Sequence, residues 1–186
     1  MIVLHSADEF AGRASVVALG MFDGVHIGHQ KLIRTAIELA KQMNAQSIVC
    51  TFDRHPLSVL CPERAPEPLL TLEENLQKFE QLGADAVLIQ PFSREFASVL
   101  PEDYIESLVD DLRAKAIVIG ENYTFGREGR GDARMVRQLA AKYGYRAKVV
   151  EPVTDSEGLI SSTRIRSLLR NGETNRAMQL LNIREI

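Results

Sequence analysis

Cysteine is scarce: Cys50 and Cys61 are the only two in 186 residues, and they form no CxxC pair. Two thiols are too few for a disulfide framework, and they fit a reducing, cytoplasmic compartment. No run approaches the ~18 apolar residues of a membrane span, and MIVLHSADEF lacks the basic start and long apolar stretch of a signal peptide. A membrane partner is not expected. Neither charge is in excess, with 22 Lys+Arg against 25 Asp+Glu and a net charge of −3. That balance excludes a protein whose main work is coating nucleic acid. Both common phosphate-loop patterns, GxxxxGK[ST] and GxGxxG, are missing, as are internal repeats and low-complexity tracts. What remains is ordinary globular material, 45% hydrophobic and 25% charged, enough for one domain with a real core.

Short apolar runs alternate with segments of helical period. Ser15–Leu19, Ser47–Phe52, Ala86–Gln90, Ala116–Gly120 and Tyr145–Val150 read as strands, and the first four are nearly all apolar, as in buried parallel sheets. Helices are expected over 29–43, 72–82, 101–112, 132–143, 163–170 and 173–181. The first carries Leu32, Ile33, Ala36, Ile37 and Ala40 on one stripe. Thr71 and Glu74 form a capping box before the second, Pro101 opens the third, and Asn171-Gly172 stops the fifth. This alternation predicts an α/β fold, a Rossmann-like doubly wound parallel sheet with a short C-terminal helical pair. Ligands in such sheets bind beyond the carboxyl ends of the strands, so the residues just after strands carry the function. The stretch 53–70, with four prolines, is the least regular and reads as a substrate loop.

After the first strand comes Gly20-Met21-Phe22-Asp23-Gly24-Val25-His26-Ile27-Gly28-His29. Gly28 lets a phosphate approach the backbone, and amides at a helix start favour anions. His26 and His29 can donate hydrogen bonds to phosphate oxygens. A zinc site is disfavoured because no cysteine or third histidine stands at ligand spacing. The combination suits nucleotidyl transfer, which needs in-line positioning and charge stabilisation more than a protein nucleophile.

GMFDGVHIGHQKLI resembles the signature of the HxGH nucleotidyltransferases, and its Phe-Asp-Gly-Val-His form is similar to that of bacterial FAD synthetases, in their FMN adenylyltransferase domain. Three further segments match in order: Thr51–Pro56 (TFDRHP), Gly120–Gly126 (GENYTFG) and Ile160–Arg166 (ISSTRIR). Arg54 stands where that family usually has proline, and Leu60 where some relatives carry an aromatic residue. The resemblance covers essentially the whole chain, residues 1–186, as one adenylyltransferase domain. In bifunctional relatives a riboflavin kinase barrel follows soon after the terminal helices. Here Leu180–Ile186 falls about where it would begin, so that domain is expected to be absent from this chain, leaving a linked or separate kinase as a partner.

The resemblance implies transfer of AMP from ATP to FMN, giving FAD and pyrophosphate, with Mg²⁺ bound mainly through the ATP phosphates. His26 and His29 would stabilise charge on the transferring phosphate. Gly20, Phe22, Asp23 and Gly28 would shape the nucleotide pocket, and Asn122 would orient ribose or hydrated magnesium. Ser161, Ser162, Arg164 and Arg166 would hold the leaving phosphates at a helix start. The two arginines project in different helical directions, and Arg166 holds the more characteristic motif position. His55, Pro56, Tyr104 and Phe125 would face the flavin. Two other readings stand beside this one: an HxGH cytidylyl- or adenylyltransferase with a different acceptor, and a non-catalytic flavin- or nucleotide-binding module.

Overall fold

The structure is a computed structural model and describes residues 1–182; residues 183–186, the end of the closing segment, lie outside the described residues. Six parallel strands form one sheet: β1 (Ile2–Leu4), β2 (Ser15–Leu19), β3 (Gln46–Phe52), β4 (Ala86–Gln90), β5 (Ala114–Gly120) and β6 (Arg146–Val150). Their spatial order is β1-β4-β3-β2-β5-β6. β2 lies at the centre with all five residues buried, paired to β3 on one side and β5 on the other. The chain winds outward through β3 and β4, then returns across β2 to lay down β5 and β6. Strand order therefore reverses between β2 and β5, and the crevice beyond their carboxyl ends is the ligand position of this architecture.

Side chains alternate across the pleat into two cores. Val16, Ala18 and Val118 face α1 (Ile27–Gln42) and α3 (Leu72–Leu82), whereas Val17, Leu19, Ile117 and Ile119 face α5 (Pro101–Asp110) and α6 (Ala133–Tyr143). The expected stripe on α1 is buried, including Leu32, Ile33, Ala36, Ile37 and Ala40. Thr71 and Glu74 complete their capping box on α3, which stops at Gly83 with φ 89°. Two short helices, α2 (Leu57–Leu60) and α4 (Arg94–Ala97), follow β3 and β4. The closing pair, α7 (Ser162–Arg170) and α8 (Thr174–Leu181), packs through Ile165, Leu168, Ala177 and Leu180 and is joined by Leu69.

The differences from expectation have local causes. β1 carries only three residues at the sheet edge, with Ile2 and Val3 exposed, so its pattern is too short to read. α1 begins at Ile27, two residues early, because His26 caps it with its own ring. α5 ends at Asp110 rather than 112. Tyr145 precedes β6 and donates its hydroxyl proton to Val136 O at 2.6 Å, anchoring α6. The irregular stretch 53–70 holds α2 and a 3-10 turn over Pro62–Arg64. A small antiparallel hairpin, β7 (Thr154–Asp155) with β8 (Gly158–Leu159), was not foreseen.

Candidate active site

The turn after β2 is bent and tightly held. Phe22, Gly24 and Val25 adopt left-handed φ values of 52°, 81° and 43°, and both Phe22 and Val25 are fully buried. Such backbone is costly for a non-glycine residue and persists because burial of these side chains over-determines it. The Phe22 ring stands edge-on to Phe79 at 5.8 Å and to His29 at 5.3 Å. A β-carbon on Gly20 would meet that ring at 2.6 Å, so glycine is required there. Phe22 thus braces His29 edge-on.

His26 is the N-cap of α1. Its Nδ1 accepts the N–H groups of Gly28 (3.2 Å) and His29 (3.4 Å), so in the neutral ring the proton resides on Nε2. These two helix-start amides were expected to face a phosphate; the imidazole takes them instead and offers its own Nε2–H. Gly28 permits this, because a β-carbon would lie 3.1 Å from the His26 ring. The His26 and His29 rings stack with centroids 3.7 Å apart. Burial lowers His26 to a pKa of about 4, and burial together with the neighbouring His26 depresses His29 well below the ordinary range. At neutral pH the pair is therefore two uncharged donors. His29 Nδ1 is buried without a partner among the described residues.

The pair opens into a cleft of about 260 Å³ at the strand-order reversal. Gly20, Phe22, Gly28 and both histidines supply one wall; Asn122 and Tyr123, after β5, and Ser161, before α7, supply others. Ser161 caps α7 by accepting the Arg164 N–H at 3.3 Å.

Asp23, Ser162 and Arg166 are absent from this wall and form a tie behind it. The Asp23 carboxylate accepts the Leu69 N–H at 2.9 Å and pairs with the Arg166 guanidinium. Ser162 Oγ donates to the Asp23 carbonyl (2.9 Å), and Arg166 Nε donates to Glu67 O (2.7 Å). Arg164 is held elsewhere, in a bidentate pair with Asp155 at 2.8 and 2.9 Å and against Glu157 at 3.0 Å, which pulls Asp155 down to a pKa of about 2. The different helical directions of the two arginines thus lead one to the buried turn and the other to the β7–β8 hairpin.

A second cavity of about 580 Å³ is aromatic. Pro56, Tyr104 and Phe125, read from the sequence as flavin-facing, line it together with Phe52, Phe92 and Phe96, which the sequence reading did not single out. Phe52, Phe92 and Phe96 form a triad of edge-on contacts at 5.1 to 5.8 Å. Phe92 and Phe96 follow β4 on the same ligand edge, and that position was the available signal. His55 does not reach this cavity. Its Nδ1 accepts the Leu57 N–H at 3.1 Å, and the ring lies toward Arg166; burial, and then the Arg166 charge, lower its pKa against the pull of Asp23.

Known proteins match this arrangement. The FAD synthetase family model covers residues 9–164. The chain belongs to the FAD synthetase family. It is 38% identical over 169 residues to the bifunctional riboflavin kinase/FMN adenylyltransferase of Bacillus subtilis, covering 90% of this chain and 53% of that one. For the protein of the same description in Listeria monocytogenes the identity is 35%, with 97% and 58% covered. This member spans about half the length of those curated relatives. A crystal structure from Streptococcus pneumoniae, described as a macrolide-efflux protein, superposes with a TM-score of 0.84 at 31% identity, covering 98% of this chain and 61% of that one. Among the described residues no helix is long and apolar enough to cross a membrane, and no three His, Cys, Asp or Glu side chains cluster as a metal site.

The histidine pair of this family member sets a pH dependence. Below its ordinary 6.5, the unfolded chain binds a proton at His26 that the fold resists until about 4. Stability is thus complete above pH 6.5 and falls between 6.5 and 4, by about 3 kcal/mol from His26 alone at the lower end. Protonation also puts a hydrogen on the Nδ1 that caps α1. Urea midpoints across this range check the slope, and His26→Asn, which keeps a capping oxygen, should flatten it.

Proposed function

We propose that this chain is an FMN adenylyltransferase, with residues 1–186 as the adenylyltransferase unit acting in the cytoplasm on ATP and FMN. The observation that carries the reading is the meeting of two cavities: a polar cleft at the histidine pair and an aromatic pocket beside it, sharing Met21 and Tyr123 as a common wall. A nucleotide donor and a flat aromatic acceptor fit side by side in such a site.

In the proposed reaction an FMN phosphate oxygen attacks the α-phosphorus of ATP in line. The bond to the bridging α–β oxygen breaks, pyrophosphate leaves, and no covalent enzyme intermediate forms. The Nε2–H of His26 and the N–H of His29 donate to the non-bridging α-phosphate oxygens as charge grows there. Neutral imidazoles suit this work, since they donate without giving up a proton. Arg166, exchanged from Asp23 onto phosphate, and Ser162 hold the departing pyrophosphate, while Ser161 and Gly28 border the nucleotide. Arg164 acts by fixing the hairpin that flanks the cleft. Pro56, Tyr104 and Phe125, with Phe52, Phe92 and Phe96, enclose the flavin rings, and His55 stands beside Arg166. The amide oxygen of Asn122 is a hard donor at that edge that would meet a magnesium ion carried on the ATP phosphates, and the ion would supply neutralisation of the triphosphate. A riboflavin kinase, linked or separate, supplies the FMN.

Mixing protein, ATP, Mg²⁺ and FMN tests this by the fluorescence quenching that accompanies FAD formation. One FAD per pyrophosphate is expected, with no product from CTP and glycerol phosphate. Tight binding of FMN or ATP without pyrophosphate release would overturn it in favour of a binding module.

A further inference from the structure

We propose that the side chain of Met21 is a positioning residue, filling the passage between cleft and aromatic pocket and so setting the line along which the acceptor phosphate meets the α-phosphorus. The role rests on the adenylyltransferase reading.

Met21 lines the nucleotide cleft, the aromatic pocket and a third cavity of about 100 Å³ beside Asp23 and Arg166. Tyr123 and Phe52 each border two of these three; among the described residues Met21 alone borders all of them. Its backbone is tied on both sides. The carbonyl accepts a hydrogen bond from Thr51 Oγ at 2.9 Å, the Gly20 N–H before it is held by Cys50 O at 3.3 Å, and the buried Phe22 follows in a left-handed conformation. The side chain itself is only half-buried. A fixed backbone therefore carries an unbranched, adaptable thioether into the one place where the three spaces adjoin.

In-line transfer requires reacting atoms about 3–3.5 Å apart with aligned orbitals, and misplacement by about 1 Å can cost on the order of a hundredfold. With the donor against His26 and His29 and the rings among the phenylalanines, the acceptor's ribityl phosphate must pass Met21. The thioether offers bulk without a strong donor that would hold the phosphate short of its target.

Met21→Ala is expected to lower kcat for FAD formation by about ten- to a hundredfold while the KM values for ATP and FMN stay within about threefold. Met21→Leu, which restores bulk, should return kcat to within about threefold of the wild type. The thermal midpoint, followed in parallel, should move little with either change, because Met21 borders cavities rather than the packed core. A kcat for Met21→Ala within about twofold of the wild type, a loss confined to KM, or a Leu variant as impaired as Ala would each overturn the role. Failure of the wild type to make FAD overturns the adenylyltransferase reading and this role with it. A fully active wild type with a fully active Met21→Ala removes the role alone.

Discussion

Replacing His29 with alanine should lower kcat for FAD formation by about 10²–10³-fold and leave FMN affinity within about threefold of the wild type. The asymmetry follows from where the ring sits. It stacks on His26, is braced by the edge of Phe22 and lines the polar cleft, whereas the aromatic pocket shares Met21 and Tyr123 with that cleft but not His29. Its depressed pKa keeps it an uncharged donor. In the proposed reaction its N–H acts when charge accumulates on the α-phosphate. Steady-state kinetics with a parallel FMN titration separates the two quantities. Equal losses of turnover and of FMN binding would sink the assignment.

Arg166→Met should destabilise the protein by about 3 kcal/mol and abolish FAD formation, and adding Asp23→Asn should recover most of the stability but none of the activity. The single change leaves a carboxylate that is only 8% exposed facing an apolar side chain. The Leu69 N–H still reaches Asp23, which keeps the loss at the lower end of what breaking a buried pair costs. Neutralising Asp23 then removes the uncompensated charge, while the guanidinium proposed to hold the leaving phosphates is still missing. Urea unfolding of both single variants and the double variant gives the coupling directly. If the double variant is no more stable than Arg166→Met, the pair is not the tie that holds the β2–α1 turn to α7.

The central sheet was legible because four of its strands are continuous apolar runs, a pattern that only a sheet buried on both faces explains. The helices were legible through caps written in adjacent residues, such as Thr71 with Glu74 and Asp132 before α6. β1 and the β7–β8 hairpin were not, since two or three residues cannot establish a period. In the candidate site, His26, His29, Asn122, Pro56 and Phe125 stood out by following strands or by motif, and each borders the histidine cleft or the aromatic cavity. His55 follows β3 as Pro56 does, yet its ring is turned the other way by the hydrogen bond from Leu57, and no local pattern reports that turn.

The sequence by itself determined a doubly wound α/β fold, its ligand edge and two histidines at the start of the first helix, because strand burial, helix periodicity and capping all act within a few neighbouring residues. Tertiary structure alone decided the electrostatics. Stacking and burial make the histidines neutral, and Arg166 reaches Asp23 across 143 positions of chain while Arg164, two residues away, goes to a hairpin. Met21 becomes the common wall of three cavities in the same way. Charge states and shared walls depend on what packs around a side chain in space, and residues that are distant in sequence set that packing.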